Sequence, residues 1–307
     1  AGGDSPRRPE TRPGRTEPPA PDGQSGPGDP AGDPAAPPGP GLAPPPSTTG
    51  AFTIGLLGDT GYSESQDRAF EKVRKDMNGH PLAFAVHDGD FWTEGSACTE
   101  EAYLEKRDFF DGFSAPLIYT PGDNEWVDCA SASRGLATLR RLFFPTGETL
   151  GMHRLTVSRH PELVENARWR YGGVVFATFN EPGPDGRGGS QRSANLDWLN
   201  ATFDEAEATG APGVMIIWQD NPFEPSGGRL ARVLGQRTVA FGKPVVLVHG
   251  DTHQFRIDHP WSDVPNFTRV ETFGDTSSPR WVRATVDPAD PAVFHFDTVR
   301  PGEAGQT

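Results

Sequence analysis

The chain has 307 residues, a formal net charge of −14 and a mean hydropathy of −0.56. An acidic surface of that kind speaks against nucleic-acid and anionic-membrane partners. No apolar run approaches the roughly 18 residues a transmembrane helix needs.

The first 50 residues read as an arm. They hold 15 of the 32 prolines, no aromatic residue, and Leu42 as their only large aliphatic side chain. Such a stretch buries too little apolar surface to offset the ordering of its backbone, so 1–50 is expected as a disordered Pro/Gly-rich tether. Its four Arg against six Asp and Glu leave about −12 for 51–307, which is expected as a single α/β domain. The sequence begins at Ala1 without Met, which we read as the trace of a removed export signal.

In chain order, Phe52 to Leu57 predicts a strand that stops at Gly58-Asp59. Ser63-Glu64-Ser65-Gln66 has capping-box spacing and opens a helix to about Met77, with Phe70, Val73 and Met77 on one face. A second strand, Leu82 to Val86, runs into His87-Asp88-Gly89-Asp90, and Thr99 starts a helix to about Phe110. Pro116 to Tyr119 leads into Thr120-Pro121-Gly122-Asp123-Asn124-Glu125-Trp126. There a turn signal is followed at once by carboxylate and amide side chains. A helix from about Ser133 to Phe144 follows, and 145–168 is the least regular stretch.

Val174 to Phe179 predicts a fourth strand, and Ala194 to Ala208 a helix with Leu196, Leu199 and Phe203 inward. Val214 to Trp218 ends at Gln219-Asp220-Asn221-Pro222, and Val245 to Val248 ends at His249-Gly250-Asp251-Thr252-His253, with a helix near Leu230 to Phe241 between them. Beyond His253 the pattern becomes strands without helices, at Phe255–Ile257, Phe267–Phe273, Trp281–Val286 and Val293–Phe296. The change from βαβ units to strands suggests two sheets packed together with helices outside.

Cys98 and Cys129 each lie a few residues past an Asp-bearing turn, at Asp90 and Asp123. If those turns converge, the cysteines can bridge; two separate buried thiols are the other reading. A bridge would stabilise the fold by roughly 3–4 kcal/mol in the chain-entropy model and would imply an oxidising compartment. An exported location is therefore expected.

Five apolar runs that each end in Asp need a common cause. Without a cation, so many close carboxylates would repel one another and raise each other's pKa. Two divalent ions roughly 3.5–4 Å apart fit the count. With nearly all-oxygen ligands, Mg²⁺, Mn²⁺ or Ca²⁺ suit the set better than Zn²⁺, and iron remains a candidate. No G-x-S-x-G elbow, Walker A or dinucleotide-binding glycine motif is present.

The order Gly58-Asp59, Gly89-Asp90, Gly122-Asp123-Asn124-Glu125, Asp220-Asn221-Pro222 and Gly250-Asp251-Thr252-His253 resembles the calcineurin-like metallophosphoesterases. The resemblance covers about Ile54 to His253. It implies a four-layer αββα sandwich of two mixed sheets and hydrolysis of a phosphate mono- or diester by a metal-bridging hydroxide. Asp59, Asp90 and His253 would hold one metal, with Asp90 bridging. Asp123, a residue at or near Asp220 and Asp251 would hold the other, with Gln219 and Asn221 as alternatives in the fourth motif.

The chain departs from the family pattern at several points. Asp59-Thr60-Gly61 lacks the His of Asp-x-His. Asp123 replaces the Asn ligand of Gly-Asn-His, and Asn124 replaces its His, which normally protonates the leaving group or binds phosphate. Asp251 replaces the first His of Gly-His-x-His. Asn124 is therefore expected as a phosphate or leaving-group contact. His87 is either a core histidine or a substitute proton donor, and Glu125 is expected to orient the site. The substrate class is a small-molecule or glycan phosphate ester, and the chain is expected as a monomer. The alternative is a catalytically weak surface module that binds Ca²⁺ or a phosphorylated ligand on the same fold.

Overall fold

The computed structural model describes residues 50–183, 189–223, 228–274 and 279–302. Apart from Gly50, the arm expected over 1–50 lies outside the described residues.

Strands β1 (Phe52–Leu57), β2 (Phe84–His87) and β3 (Leu117–Tyr119) run parallel. Strand β11 (Trp281–Val286) pairs antiparallel with β1, and β12 (Phe294–Val299) pairs antiparallel with β11, which gives the order β12-β11-β1-β2-β3. The second sheet contains β4 (Ser158–Arg159), β5 (Ala167–Tyr171), β6 (Val174–Thr178), β7 (Val214–Ile217), β8 (Val245–His249), β9 (Arg256–Asp258) and β10 (Phe267–Glu271). Its order is β4-β5-β6-β7-β8-β10-β9; β6, β7, β8 and β10 are parallel and both flanks are antiparallel.

Alternation along each central strand sorts the side chains into layers. Ile54, Leu56, Phe84 and Val86 of the first sheet meet Val174, Phe176, Met215, Ile217, Val246 and Val248 of the second in one buried cluster. The intervening residues face helices. Leu57, Ala85 and Leu117 pack under α1 (Glu64–Met77), α2 (Glu100–Asp111) and α3 (Ala132–Phe143). Val175, Ala177, Val214, Ile216, Val245 and Leu247 pack under α4 (Gly189–Ala208) and α5 (Arg229–Phe241). This is the αββα arrangement, with strands apolar on both faces because both are covered. Truncating a core ring such as Phe84 should cost about 3–5 kcal/mol.

Two local expectations need correction. Ser63 is the N-cap of α1, but its hydroxyl makes no cap bond and pairs with Ser65 Oγ at 3.0 Å. The stretch 145–168 is less irregular than its sequence: β4 and the start of β5 lie there and form an antiparallel run with β6. In β5, Arg168 and Arg170 alternate with buried Ala167, Trp169 and Tyr171, so the strand carries charge on its other face. Arg168 pairs with Glu205 at 2.7 Å and lies over the Trp198 ring.

A disulfide joins Cys98 and Cys129, with Cα atoms 5.7 Å apart. It ties the segment after β2 to the turn after β3, the two segments that carry Asp90 and Asp123–Glu125. No described helix is long and apolar enough to cross a membrane.

Candidate functional site

The loops after β1, β2, β3, β7 and β8 meet where the two sheets join. The Asp59 and Thr60 amides donate to the Gly89 and Asp90 carbonyls at 2.9 and 2.8 Å. Thr120 Oγ1 donates to Phe179 O across the sheets at 2.8 Å. Gln219 Nε2 donates to Asp90 Oδ2 at 2.8 Å, and the Asp251 amide donates to the Asp59 carboxylate at 3.1–3.2 Å.

The backbone at these loops is strained. Among the described residues, five non-glycine positions have positive φ, and Asp59, Asp90, Asp251 and His253 are four of them. Such conformations persist where the surroundings force them, and they collect at functional sites. Gly122 and Gly250 allow the close approach. A Cβ on Gly122 would collide with Asp90 Oδ1, and one on Gly250 with Asp59 Oδ2.

At the centre stands Tyr62, which the sequence reading did not single out. Its hydroxyl lies 3.3 Å from Asp59 Oδ1, Asp90 Oδ2 and His253 Nε2, and it accepts from Asn124 Nδ2 at 3.4 Å. His253 Nε2 is also 3.5 Å from Asp59 Oδ1. The signal in the sequence was Asp59-x-x-Tyr62, one residue beyond the place where an imidazole was sought. Burial, then the charges of Asp90 and Asp59, hold the phenol protonated far above its usual range.

Asp90 is buried, and its pKa is pushed well up by desolvation, then by the charges of Glu125, Asp59 and Asp123. Asp123 is pushed up to about 6 by burial, then by Asp128, with Asp251 adding to it. Glu125 is buried and raised to about 7, chiefly by desolvation. It acts as a clamp: Oε1 accepts from the Phe91 amide at 3.2 Å and from Tyr119 Oη at 2.9 Å, and Oε2 accepts from the Gly122 amide at 3.0 Å. The loop bearing Asp90 and the loop bearing Asp123 are thus held by one carboxylate. Asn124 Nδ2 donates to Trp92 O at 2.9 Å as well as to Tyr62, so the amide is fixed in place.

The sequence leaves two candidates open between alternatives. In the fourth motif the side chain against Asp90 is Gln219; Asp220 is half-buried beside Gly183. The end of β7 turns one residue earlier than the motif spacing implies. His87 is buried among Phe70, Phe110 and Tyr119, with Nδ1 accepting from the Gly89 amide at 3.3 Å and Nε2 donating to Thr60 Oγ1 at 2.8 Å. Burial lowers its pKa to about 3. Neutral, enclosed and with both nitrogens engaged, it fits a core histidine and not a proton donor.

The donors suit a cation in chemistry and in spacing. Neighbouring ligands on bonds of about 2.1 Å lie roughly 3.0–3.4 Å apart, the edge of an octahedron or tetrahedron. The contacts among Tyr62, Asp59, Asp90 and His253, at 3.3–3.5 Å, match that edge. Among the described residues no group of three His, Cys, Asp or Glu side chains is arranged to hold an ion.

No family model matches the chain, and no curated protein matches it. Solved structures do. The chain superimposes on purple acid phosphatase PPD1 from yellow lupin (Lupinus luteus) seeds with a TM-score of 0.55 and 12% identity, covering 82% of this chain and 54% of that one. The fold is that of the calcineurin-like metallophosphoesterases. A 5'-nucleotidase from Candida albicans matches with a TM-score of 0.48 and 12% identity over 81% of this chain and 51% of that one. Vacuolar Protein Sorting 29 from Cryptosporidium parvum matches with a TM-score of 0.36 and 11% identity over 81% and 97%. The chain spans about half the length of the two phosphatases. On the metallophosphoesterase fold, the loops described above occupy the strand ends where open α/β sheets place their sites.

Proposed function

We propose that the protein hydrolyses a phosphate ester with the help of divalent metal ions. The observation that supports this best is the gathering of Asp59, Asp90, His253 and Asn124 around one phenol oxygen at a strained junction of both sheets. Among the described residues no Lys or Arg pairs with Asp59 or Asp90, so a cation is the natural counter-charge. Asp59, Asp90, His253 and Tyr62 would hold one ion, and Asp123, Asp251 and Gln219 would face the other. When bound, the ions supply the charge that offsets the phosphoryl oxygens and the acidity that activates water. Mg²⁺, Mn²⁺ or Ca²⁺ suit these oxygen donors.

The chain's own residues do the rest. Glu125 keeps the two loops in register. The Asn124 amide, held by Trp92 O, would present a neutral donor to a phosphate oxygen by giving up its longer, 3.4 Å contact with Tyr62. It has no proton to give a leaving group. That lack supports the second reading, a catalytically weak module that binds Ca²⁺ or a phosphorylated ligand. One chain carries every group invoked, and we propose a monomer exported to an oxidising compartment, in keeping with the Cys98–Cys129 disulfide.

The test is turnover of 4-nitrophenyl phosphate and bis(4-nitrophenyl) phosphate with Mg²⁺, Mn²⁺, Ca²⁺ or Zn²⁺, against protein stripped with EDTA. Metal-dependent release of nitrophenolate is expected. Metal binding without turnover of either ester would transfer the case to the binding module.

A further inference from the structure

The end of β10 forms a mould around His253, although it lies outside every motif. Glu271 accepts from Thr252 Oγ1 and from the Gln254 amide, the residues on either side of His253. Phe273 stacks on Phe255 with centroids 4.1 Å apart and planes 7° apart. Directly after Phe273 comes Gly274, with φ +63°. A Cβ built on it would lie 2.9 Å from both Cα and Cβ of His253 and 3.0 Å from Cδ2 of its ring. Real side chains essentially never approach so closely, and here one of the obstacles is backbone. His253 cannot retreat freely, because its own φ is +56° and its two neighbours are tied to Glu271.

We propose that Gly274 is a positioning residue for His253: its bare Cα is what lets the imidazole stand beside Asp59 and Tyr62. The part of this concerning metal affinity rests on the metal-site reading above; the part concerning the ring does not. A methyl group at 274 would push the imidazole off the 3.3 and 3.5 Å contacts it makes with Tyr62 and Asp59. Displacing a group that orients a ligand typically weakens metal binding about 10–100-fold.

The experiment uses the full chain and three variants, Gly274→Ala, Gly274→Asn and Gly242→Ala. Gly242 is the control: its φ is +67° and a Cβ there meets nothing within 4 Å, so alanine brings the backbone strain without the collision. Asparagine tolerates positive φ better than alanine and carries the same Cβ, so it serves if the alanine variant fails to fold. The first readout is the His253 ring signal in ¹H–¹⁵N spectra of EDTA-treated protein, assigned by its loss in His253→Ala. The second is Mn²⁺ affinity by calorimetry. Both Gly274 variants should move the ring signal and weaken Mn²⁺ binding at least tenfold, while Gly242→Ala does neither. An unmoved ring signal in a folded Gly274 variant overturns the proposal, as does an equal shift in Gly242→Ala. A moved signal in protein that binds no Mn²⁺ at all supports the positioning role and counts against the metal-site reading instead.

Discussion

Gln219 and Asp90, 129 residues apart, are joined by a 2.8 Å hydrogen bond from the amide nitrogen to a buried carboxylate oxygen. The bond crosses from the end of β7 in one sheet to the loop after β2 in the other. A hydrogen bond to a carboxyl group is worth roughly 0.5–3 kcal/mol, from its neutral to its charged form. Gln219→Leu should therefore lower stability in EDTA by about that amount, read from urea unfolding. On the metal reading the deficit should grow with Mn²⁺ present, because the variant also loses a side chain that faces the ion and with it part of the stabilisation that binding brings. An unchanged deficit with metal bound would separate Gln219 from the ion.

Tyr62→Phe tests the centre of the site. The phenol oxygen is lost while the ring that packs edge-on against His253 stays. Mn²⁺ affinity measured by calorimetry should fall about 10–100-fold. Tighter binding in the variant would mean that the hydroxyl stands in the cation's way.

Asn124→His should restore a proton donor near the leaving group. General acid catalysis contributes roughly 10²–10⁴-fold. The native protein should therefore show a steep dependence of rate on leaving-group pKa, and the variant a flatter one. Trp92 O, 2.9 Å from the native amide, could hold the new ring by accepting its N–H. Equal slopes in the two proteins would deny residue 124 that role.

His87 gives a pH prediction. Its pKa is about 3 in the fold and near 6.5 in an unfolded chain, so between those values the unfolded state binds the extra proton. Its contribution is therefore lost as pH falls from about 6.5 towards 3, with a slope of at most about 1.4 kcal/mol per pH unit. His249, also lowered to about 3 by burial, adds in the same direction. Unfolding free energies of native protein and His87→Gln in EDTA, taken from pH 7 to pH 4, should diverge in slope, the native being steeper. Parallel lines would mean that His87 is not held neutral.

Removing the disulfide closing a separation of 31 residues should cost roughly 3–4 kcal/mol in the chain-entropy model. Cys98→Ser with Cys129→Ser should show that loss in thermal melts. Because the bridge joins the loops of Asp90 and Asp123, Mn²⁺ affinity should fall too. Full affinity in the double variant would make the bridge a matter of stability alone.

The layers were legible because strands buried on both faces write themselves as short, continuous apolar runs. β1 and β11 fall at their predicted bounds, while β5 was hidden by Arg168 and Arg170, whose charges break the run. The carboxylates were legible from their place after strands. Tyr62 was not, because nothing local distinguishes a tyrosine turned inward from one in a surface loop; beyond Asp59 its neighbours come from three other loops. The choice between Gln219 and Asp220 was equally closed to sequence, since a one-residue change at a strand end reverses the direction of the side chain.

β1 lies between β2, its near neighbour in sequence, and β11, where Phe52 pairs with Val286. During synthesis, then, one edge of the first strand waits for more than two hundred further residues. The Asp59 carboxylate likewise lacks its backbone donor until Asp251 has been made. Contacts of such separation form slowly. On the metal reading, no early fragment owns a finished cation cradle, so capture would come late, after the last strands have docked, and shortened chains should emerge both sticky along that edge and unable to bind.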